Sequence, residues 1–171
     1  MAGFIGIVSK KHRSIEKIFF DLKSNNHFVQ NQYFNFNGSS FLIQQHGRFS
    51  NDYLIFDNDL FLFCFFGVLL NEDELFFKYK KSSIKELLLE ILVDRNFSVI
   101  NEFKGIYSGF YYDKVHFSTK VFTNHFSQKP VYYYNNNDKD FFIFSSDIIA
   151  IVDALKLFSI KPNINEKGAY Y

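Results

Sequence analysis

Residues 60–70 read Leu-Phe-Leu-Phe-Cys-Phe-Phe-Gly-Val-Leu-Leu, an unbroken apolar run between Asp59 and Asn71. The run is too short to cross a bilayer as a helix, and its content of strand formers favours an extended chain. A strand that is apolar at every position needs cover on both faces, so Phe61 to Phe66 predicts a central strand of a layered protein. Working outward, Tyr53 to Phe56 is a second extended segment, joined to the first through Asp57-Asn58-Asp59, a hairpin signal. Phe41 to Gln45 is a third, and Phe4 to Val8 is a short apolar strand almost at the N-terminus.

Three segments have helical spacing. Ile15, Ile18, Phe19 and Leu22 fall at i, i+3, i+4 and i+7, with Glu16, Lys17, Asp21 and Lys23 on the other face. Ser83 and Glu86 form a capping box before Ile84, Leu87, Leu88, Ile91 and Leu92, predicting a helix that ends near Asn96. Ile148, Ile151, Val152 and Leu155 lie on one face of a segment from Asp147 to Leu157. Between the last two helices the chain predicts a meander: Ile106 to Tyr112, a two-residue turn at Asp113-Lys114, Val115 to Phe122, Val131 to Tyr134 and Phe141 to Ser145. Strands that pack face to face with helices outside give an α+β layered sandwich.

The 171 residues suit one domain with a sizeable core. Lys and Arg number 19 against 18 Asp and Glu, a formal net charge of +1 that supplies no general attraction to nucleic acid or an anionic membrane. The expected partners therefore include no nucleic acid and no membrane. The single Cys64 excludes an intramolecular disulfide and a multi-cysteine zinc site, and it fits a reducing, cytoplasmic setting. Lys10, Lys11 and Arg13 follow the apolar Met1 to Val8, the reverse of a secretory signal. Aromatic residues make up 21 %, with 25 Phe, 11 Tyr and no Trp. That excess fits either a ligand surface or core packing.

Six motifs in order carry a family resemblance. Met1-Ala2-Gly3-Phe4-Ile5-Gly6-Ile7 is similar to Met-Cys-Gly-Ile-x-Gly-Ile, His46-Gly47-Arg48-Phe49-Ser50 to His-x-Arg-Leu-Ser, and Phe65-Phe66-Gly67-Val68-Leu69-Leu70-Asn71 to Phe-Asn-Gly-Glu-Ile-Tyr-Asn. Phe103-Lys104-Gly105-Ile106-Tyr107, Lys129-Pro130-Val131-Tyr132-Tyr133 and Phe144-Ser145-Ser146-Asp147-Ile148 stand where Leu-Asn-Gly-Met-Phe, Lys-Pro-Leu-Tyr-Tyr and Phe-Ala-Ser-Glu-Ile are found. The chain thus resembles, over nearly its whole length, the N-terminal class II glutamine amidotransferase domain of asparagine synthetases. The resemblance implies the four-layer αββα sandwich of the N-terminal-nucleophile hydrolases, two antiparallel sheets flanked by helices. It places that domain at residues 1–158 and a linker toward a missing synthetase domain at 159–171. On the family's strands Phe61, Phe63, Phe65, Phe110, Phe117, Phe142 and Phe144 fall in segments expected to be buried between two sheets, so the resemblance implies that most of the aromatic excess is packing.

The same resemblance implies that the chemistry has decayed. In the family an N-terminal Cys thiolate attacks the glutamine amide and its own α-amino group relays the proton. Ala2 stands there, and a methyl group is no nucleophile. The oxyanion hole of the family uses an Asn side chain and the N–H of the next Gly. Here the pair is Phe66 and Gly67, so only the backbone donor is retained. Arg48 matches the Arg that binds the substrate carboxylate, a bidentate task suited to guanidinium, while Val68 replaces the Glu that holds the ammonium. The second ammonium-binding carboxylate aligns near Ile84. An ammonium left beside Val68 and Phe66 would be desolvated without a partner, so free glutamine should bind poorly.

Other polar residues have simpler readings. Arg48 fits a structural contact with a carboxylate or carbonyl as well as residual substrate binding, and His46 fits a structural role. Cys64 reads as a small buried hydrophobe. His12, His27, His116 and His125 show no metal-ligand spacing; Asp138 and Asp140 sit in an Asn-rich turn; Lys10-Lys11-His12-Arg13 reads as solvated.

Residues 161–171 resemble the lead into an ATP-dependent synthetase domain, and the chain holds no Ser-Gly-Gly-x-Asp loop. No cofactor is expected in this chain, with ATP and Mg expected only for a downstream domain. The expectation is a silent glutaminase-like domain of an asparagine-synthetase-related amide ligase, similar to the N-terminal domains of β-lactam synthetase and the lasso-peptide cyclases. Its role would be that of a scaffold or interaction surface for the synthetase domain or another protein, with a homodimer as a further option. The alternatives are a true glutamine-hydrolysing domain whose nucleophile was replaced by Ala2, or a stand-alone module that binds a peptide or partner. Replacement of the nucleophile alone leaves Phe66 and Val68 unexplained.

Overall fold

The computed structural model describes residues 3–9, 29–36, 38–46, 53–136 and 141–161. The expected helix over Ile15 to Leu22, the Lys10 run, His12, His27, Asp138, Asp140 and residues 162–171 lie outside them. Along the chain come β1 (Gly3–Ser9), β2 (Val29–Phe36), β3 (Ser39–His46), β4 (Tyr53–Asp57), β5 (Phe61–Leu69), α1 (Glu72–Tyr79), α2 (Ile84–Asp94), a 3-10 helix (Phe97–Glu102), β6 (Gly105–Asp113), β7 (Ser118–Thr123), β8 (Tyr132–Asn136), β9 (Phe141–Ser145) and α3 (Ile148–Leu157). They form two compact units, Met1–Arg48 with Tyr132–Tyr171, and Phe49–Val131.

The first unit is an antiparallel sheet of order β2-β3-β1-β9-β8. One face, with Ile5, Ile7, Leu42, Phe141 and Ile143, packs against Ala150, Ile151, Ala154 and Leu155 of α3. This corrects the expected helix face, because Ile148 and Val152 are exposed. The sheet supplies the bulk, so the helix turns its small alanines inward and comes close. Asp147 starts α3 by accepting the Ile149 N–H at 2.9 Å. The opposite sheet face buries Phe4, Phe41 and Phe144.

The second unit is an antiparallel sheet of order β4-β5-β6-β7. Odd-numbered Phe61, Phe63 and Phe65 of β5, with Tyr107 and Tyr111 of β6, meet Leu75 of α1 and Leu87, Leu88, Ile91 and Leu92 of α2. These three phenylalanines therefore face helices, not the space between sheets, which corrects the sequence expectation. The even-numbered Leu62, Cys64, Phe110 and Tyr112 are buried on the other face. The run is thus covered on both sides, as its unbroken apolarity demands. The class is α+β, with two antiparallel sheets that each carry a helix layer and are buried on both faces, the ingredients of an αββα sandwich.

Local chemistry explains where the elements begin and end. Ser83 Oγ accepts the Glu86 N–H at 3.2 Å, the expected cap, while the Glu86 carboxylate returns to the N–H and hydroxyl of Ser82 at 2.9 and 2.8 Å. Arg95 closes α2 in the left-handed region. Three elements were not anticipated: β2, α1 and the 3-10 helix. The first is rich in Asn and Gln, and the second buries only Leu75. The expected strand from Val115 is also corrected: β7 starts at Ser118, and Val115 and Phe117 are about half exposed. The cause is Asp113, whose Oδ1 accepts both the Val115 and His116 N–H groups at 2.9 Å and so withdraws them from the ladder.

β5 and β6 pair over nine residues, from Phe61↔Asp113 to Leu69↔Gly105. Near one end the backbones approach so closely that only glycine fits. A Cβ on Gly67 would lie 2.2 Å from the Ile106 carbonyl oxygen, and one on Gly105 would lie 2.2 Å from that of Val68. Both glycines have positive φ, 146° and 153°. Gly67→Ala is expected to lower stability in urea by roughly 3 kcal/mol through combined strain and clash, against less than about 1 kcal/mol for Val68→Ala on the exposed face.

Asp113 is buried at the other end of this ladder, with Arg95 Nη2 at 3.2 Å and His116 Nδ1 at 3.0 Å. Burial pushes its carboxyl upward, but the His116 and Val115 N–H groups, the His116 ring and the Arg95 charge outweigh it and hold it below the usual carboxylate range. A carboxyl lowered by folding stabilises above its unfolded pKa of about 3.9, and the contribution is lost as pH falls through the lower native value. Asp113→Ala is therefore expected to cost about 2 kcal/mol at pH 7. Its deficit relative to the parent should shrink in urea titrations below about pH 4.

Candidate functional site

The sequence-predicted site residues divide into those on β5 and those beyond the described chain. Ala2 and Arg48 lie outside the described residues; β1 begins at Gly3 and β3 ends at His46. Phe66, Gly67 and Val68 are consecutive on β5, next to β6 on one side and, at Phe66, to β4 on the other. The local backbone is fixed by the Gly67–Gly105 approach, so the side chains before and after Gly67 project at set positions.

Phe66 sits between Tyr53 of β4 and Ser108 of β6, its direct cross-strand partners. Its ring stacks on Tyr53 with centroids 5.0 Å apart and an interplanar angle of 20°. Lys129 Nζ lies over the same ring, 3.3 Å from the centroid. The ring face is electron-rich, so the ammonium is attracted to it. Ser108 is fully buried, and its Oγ has no hydrogen-bond partner among the described residues. Phenyl, unlike carboxamide, can neither donate to nor accept from that hydroxyl.

Tyr53, Ser108 and Lys129 were not singled out by the sequence as neighbours of Phe66. Lys129 opens the Lys-Pro motif and could have been suspected; Tyr53 and Ser108 follow only from strand register. Val68 is 49 % exposed and pairs across the ladder with Ile106, 42 % exposed. Together they present an apolar surface with no charge for an ammonium.

Cys64, two residues before Phe66, is completely buried, and burial pushes its thiol pKa far above the ordinary value. A thiol without ionisation or access is no nucleophile. Among the described residues, no three His, Cys, Asp or Glu side chains gather to hold a metal ion.

Beyond Val68, the second unit has an open cleft of about 800 Å³ whose walls include Leu70, Asn71, Lys78, Glu102, Lys104 and Phe126. Its charges close on one another: Lys78 Nζ meets Glu102 at 2.6 Å and Lys104 Nζ meets Glu74 at 2.9 Å. Hydrogen bonds from these lysines hold the Glu102 and Glu74 carboxyls below their usual range, so both are acceptors with no proton to give at neutral pH. Asn71 ties the wall together, donating from Nδ2 to the Glu102 carbonyl and accepting the Lys104 N–H on Oδ1. Ile84, aligned near the second ammonium carboxylate, opens α2 and is partly buried against the helix-side core.

The model of the glutamine amidotransferase domain family matches residues 53–153, the stretch from β4 into α3. No curated protein matches the chain. Among the described residues no helix is long and apolar enough to cross a membrane. The match takes in more than half of the 171 residues and includes the Phe66-Gly67-Val68 strand, so the chain belongs to the glutamine amidotransferase domain family.

Proposed function

We propose that the chain is a catalytically silent member of this family, with a scaffold or interaction role at the N-terminus of an asparagine-synthetase-related, ATP-dependent amide-forming ligase. The observation that carries the reading is Phe66, whose ring stacks on Tyr53 and lies under the Lys129 ammonium, at the position matched to the oxyanion Asn. An aromatic ring stacked on one neighbour and engaged by a cation is a settled packing solution, and it offers no dipole to a developing oxyanion. Ala2 and Val68 point the same way, the one removing the nucleophile and the other the carboxylate for the ammonium. Gly67 retains its backbone N–H, and Arg48 keeps a guanidinium matched to carboxylate binding.

In this reading residues 1–158 are the glutaminase-like domain and 159–171 lead to the synthetase domain. That domain would be the natural partner and would hold ATP and Mg; the present chain binds neither. A cytoplasmic setting fits the single buried thiol.

Glutamate release distinguishes this from a glutaminase that lacks only its nucleophile. Ala2→Cys, after removal of Met1, is expected to release no glutamate, and calorimetry with glutamine to show no binding. Turnover by Ala2→Cys alone would overturn the proposal. Adding Phe66→Asn and Val68→Glu to Ala2→Cys restores a donor and a carboxylate, and the triple variant is expected to release glutamate where the single one releases none.

A further inference from the structure

β2 is one edge of the five-stranded sheet and, among the described residues, pairs on one side only, with β3. Edge strands in natural proteins usually carry a charge, a proline or a bulge, or are kept short, which discourages another strand from adding to them. The other edges here obey that rule. β4 carries Asp57, ion-paired with Lys114; β7 carries Lys120; β8 is five residues long and begins two residues after Pro130. β2 has none of these devices. Val-Gln-Asn-Gln-Tyr-Phe-Asn-Phe holds no charge, proline or glycine, and its eight residues pair with β3 without a break from Val29↔His46 to Phe36↔Ser39.

The strand is also symmetric. Asn31, Tyr33 and Asn35 are exposed and alternate, so they share one face, and they read the same from either end. Both amides are held in the same way by β3: Asn31 Oδ1 accepts from Gln44 Nε2 at 3.2 Å, and Asn35 Oδ1 accepts from Ser40 Oγ at 2.7 Å. Each keeps its Nδ2 donors for another partner. A two-fold dimer requires a surface complementary to itself. With the axis through Tyr33 and a second copy running antiparallel, Tyr33 meets the partner's Tyr33 and Asn31 meets the partner's Asn35. Aromatic faces amide-flanked aromatic, amide faces amide, and no charge is opposed.

We infer that β2 is a homodimerisation edge, on which a second copy of this chain adds antiparallel about Tyr33 and joins two sheets into one. The outer row of backbone donors and acceptors from Asn31 to Asn35, unpaired among the described residues, is then closed by an identical row.

Sedimentation of the full chain tests this. The expected mass is twice 20.3 kDa at tens of micromolar. Tyr33→Lys and Tyr33→Glu each oppose like charges at the axis and are expected to be monomers with unchanged circular dichroism. Mixed in equal amounts they should recover the dimer, because opposite charges then meet. Should either fold poorly, the Asn31→Lys/Asn35→Lys double variant repeats the test away from the axis and is expected to be monomeric. A monomeric parent, a Tyr33→Lys protein that stays dimeric, a double variant that stays dimeric, or a mixture that remains monomeric would each overturn the proposal.

Discussion

Gly67 and Gly105 approach each other's strands so closely that a single added methyl would collide with a carbonyl oxygen. That approach keeps β5 and β6 paired through the whole ladder, and the ladder in turn sets what each side of the sheet receives. On the helix side, Phe65 stacks on Tyr107 at 5.6 Å, and the Tyr107 hydroxyl donates to the carbonyls of Ile100 and Phe103. The 3-10 helix that precedes β6 is thereby pinned to the core. Phe122 of β7 lies over Gly109, where a Cβ would meet its ring at 2.5 Å, so the missing side chain on β6 is replaced by an aromatic from the next strand.

The same constraint separates the residues that hold the fold from those matched to the family's chemistry. Several residues in the motifs shared with the family have backbone tasks: Gly67 and Gly105 permit close strands, Tyr107 pins a turn, and Asp147 caps α3. None of these tasks needs a substrate. Phe66 and Val68 flank Gly67 on β5, at positions where the ladder fixes direction but not side-chain type. An apolar ring at Phe66 packs on Tyr53 of β4, whereas Val68 is about half exposed, and neither side chain is needed for the close approach of the two backbones. The residues that hold the ladder and those matched to the family's site are thus different ones.

The sequence made much of this legible because burial and periodicity are local signals. The run at 60–70, the Ser83 cap and the Asp57–Asp59 turn were readable, and in the turn Asn58 accepts the Leu60 and Phe61 N–H groups. What escaped was decided across the chain. β2 has too few apolar residues to signal a strand and owes its form to β3. α1 shows one buried residue and is held through Asn71, whose partners lie thirty residues away. The Asp113 carboxylate takes two N–H groups that alternation alone assigns to a strand. At the candidate site, Phe66 was readable as a substitution, whereas Tyr53, Ser108 and Lys129 became its neighbours only through register and loop path.

Cys64 gives the molecule an internal clock. Its sulfur lies in the middle of β5, shielded by the sheet's cover on that face and kept protonated by burial. A thiol reagent can reach it only when that cover lifts or the strands around it separate, and no second cysteine competes for the label. The rate of its modification therefore follows the opening of the protein around β5, on the timescale of rare openings. The residue that removed every prospect of a disulfide thus records how often the centre of the fold comes apart.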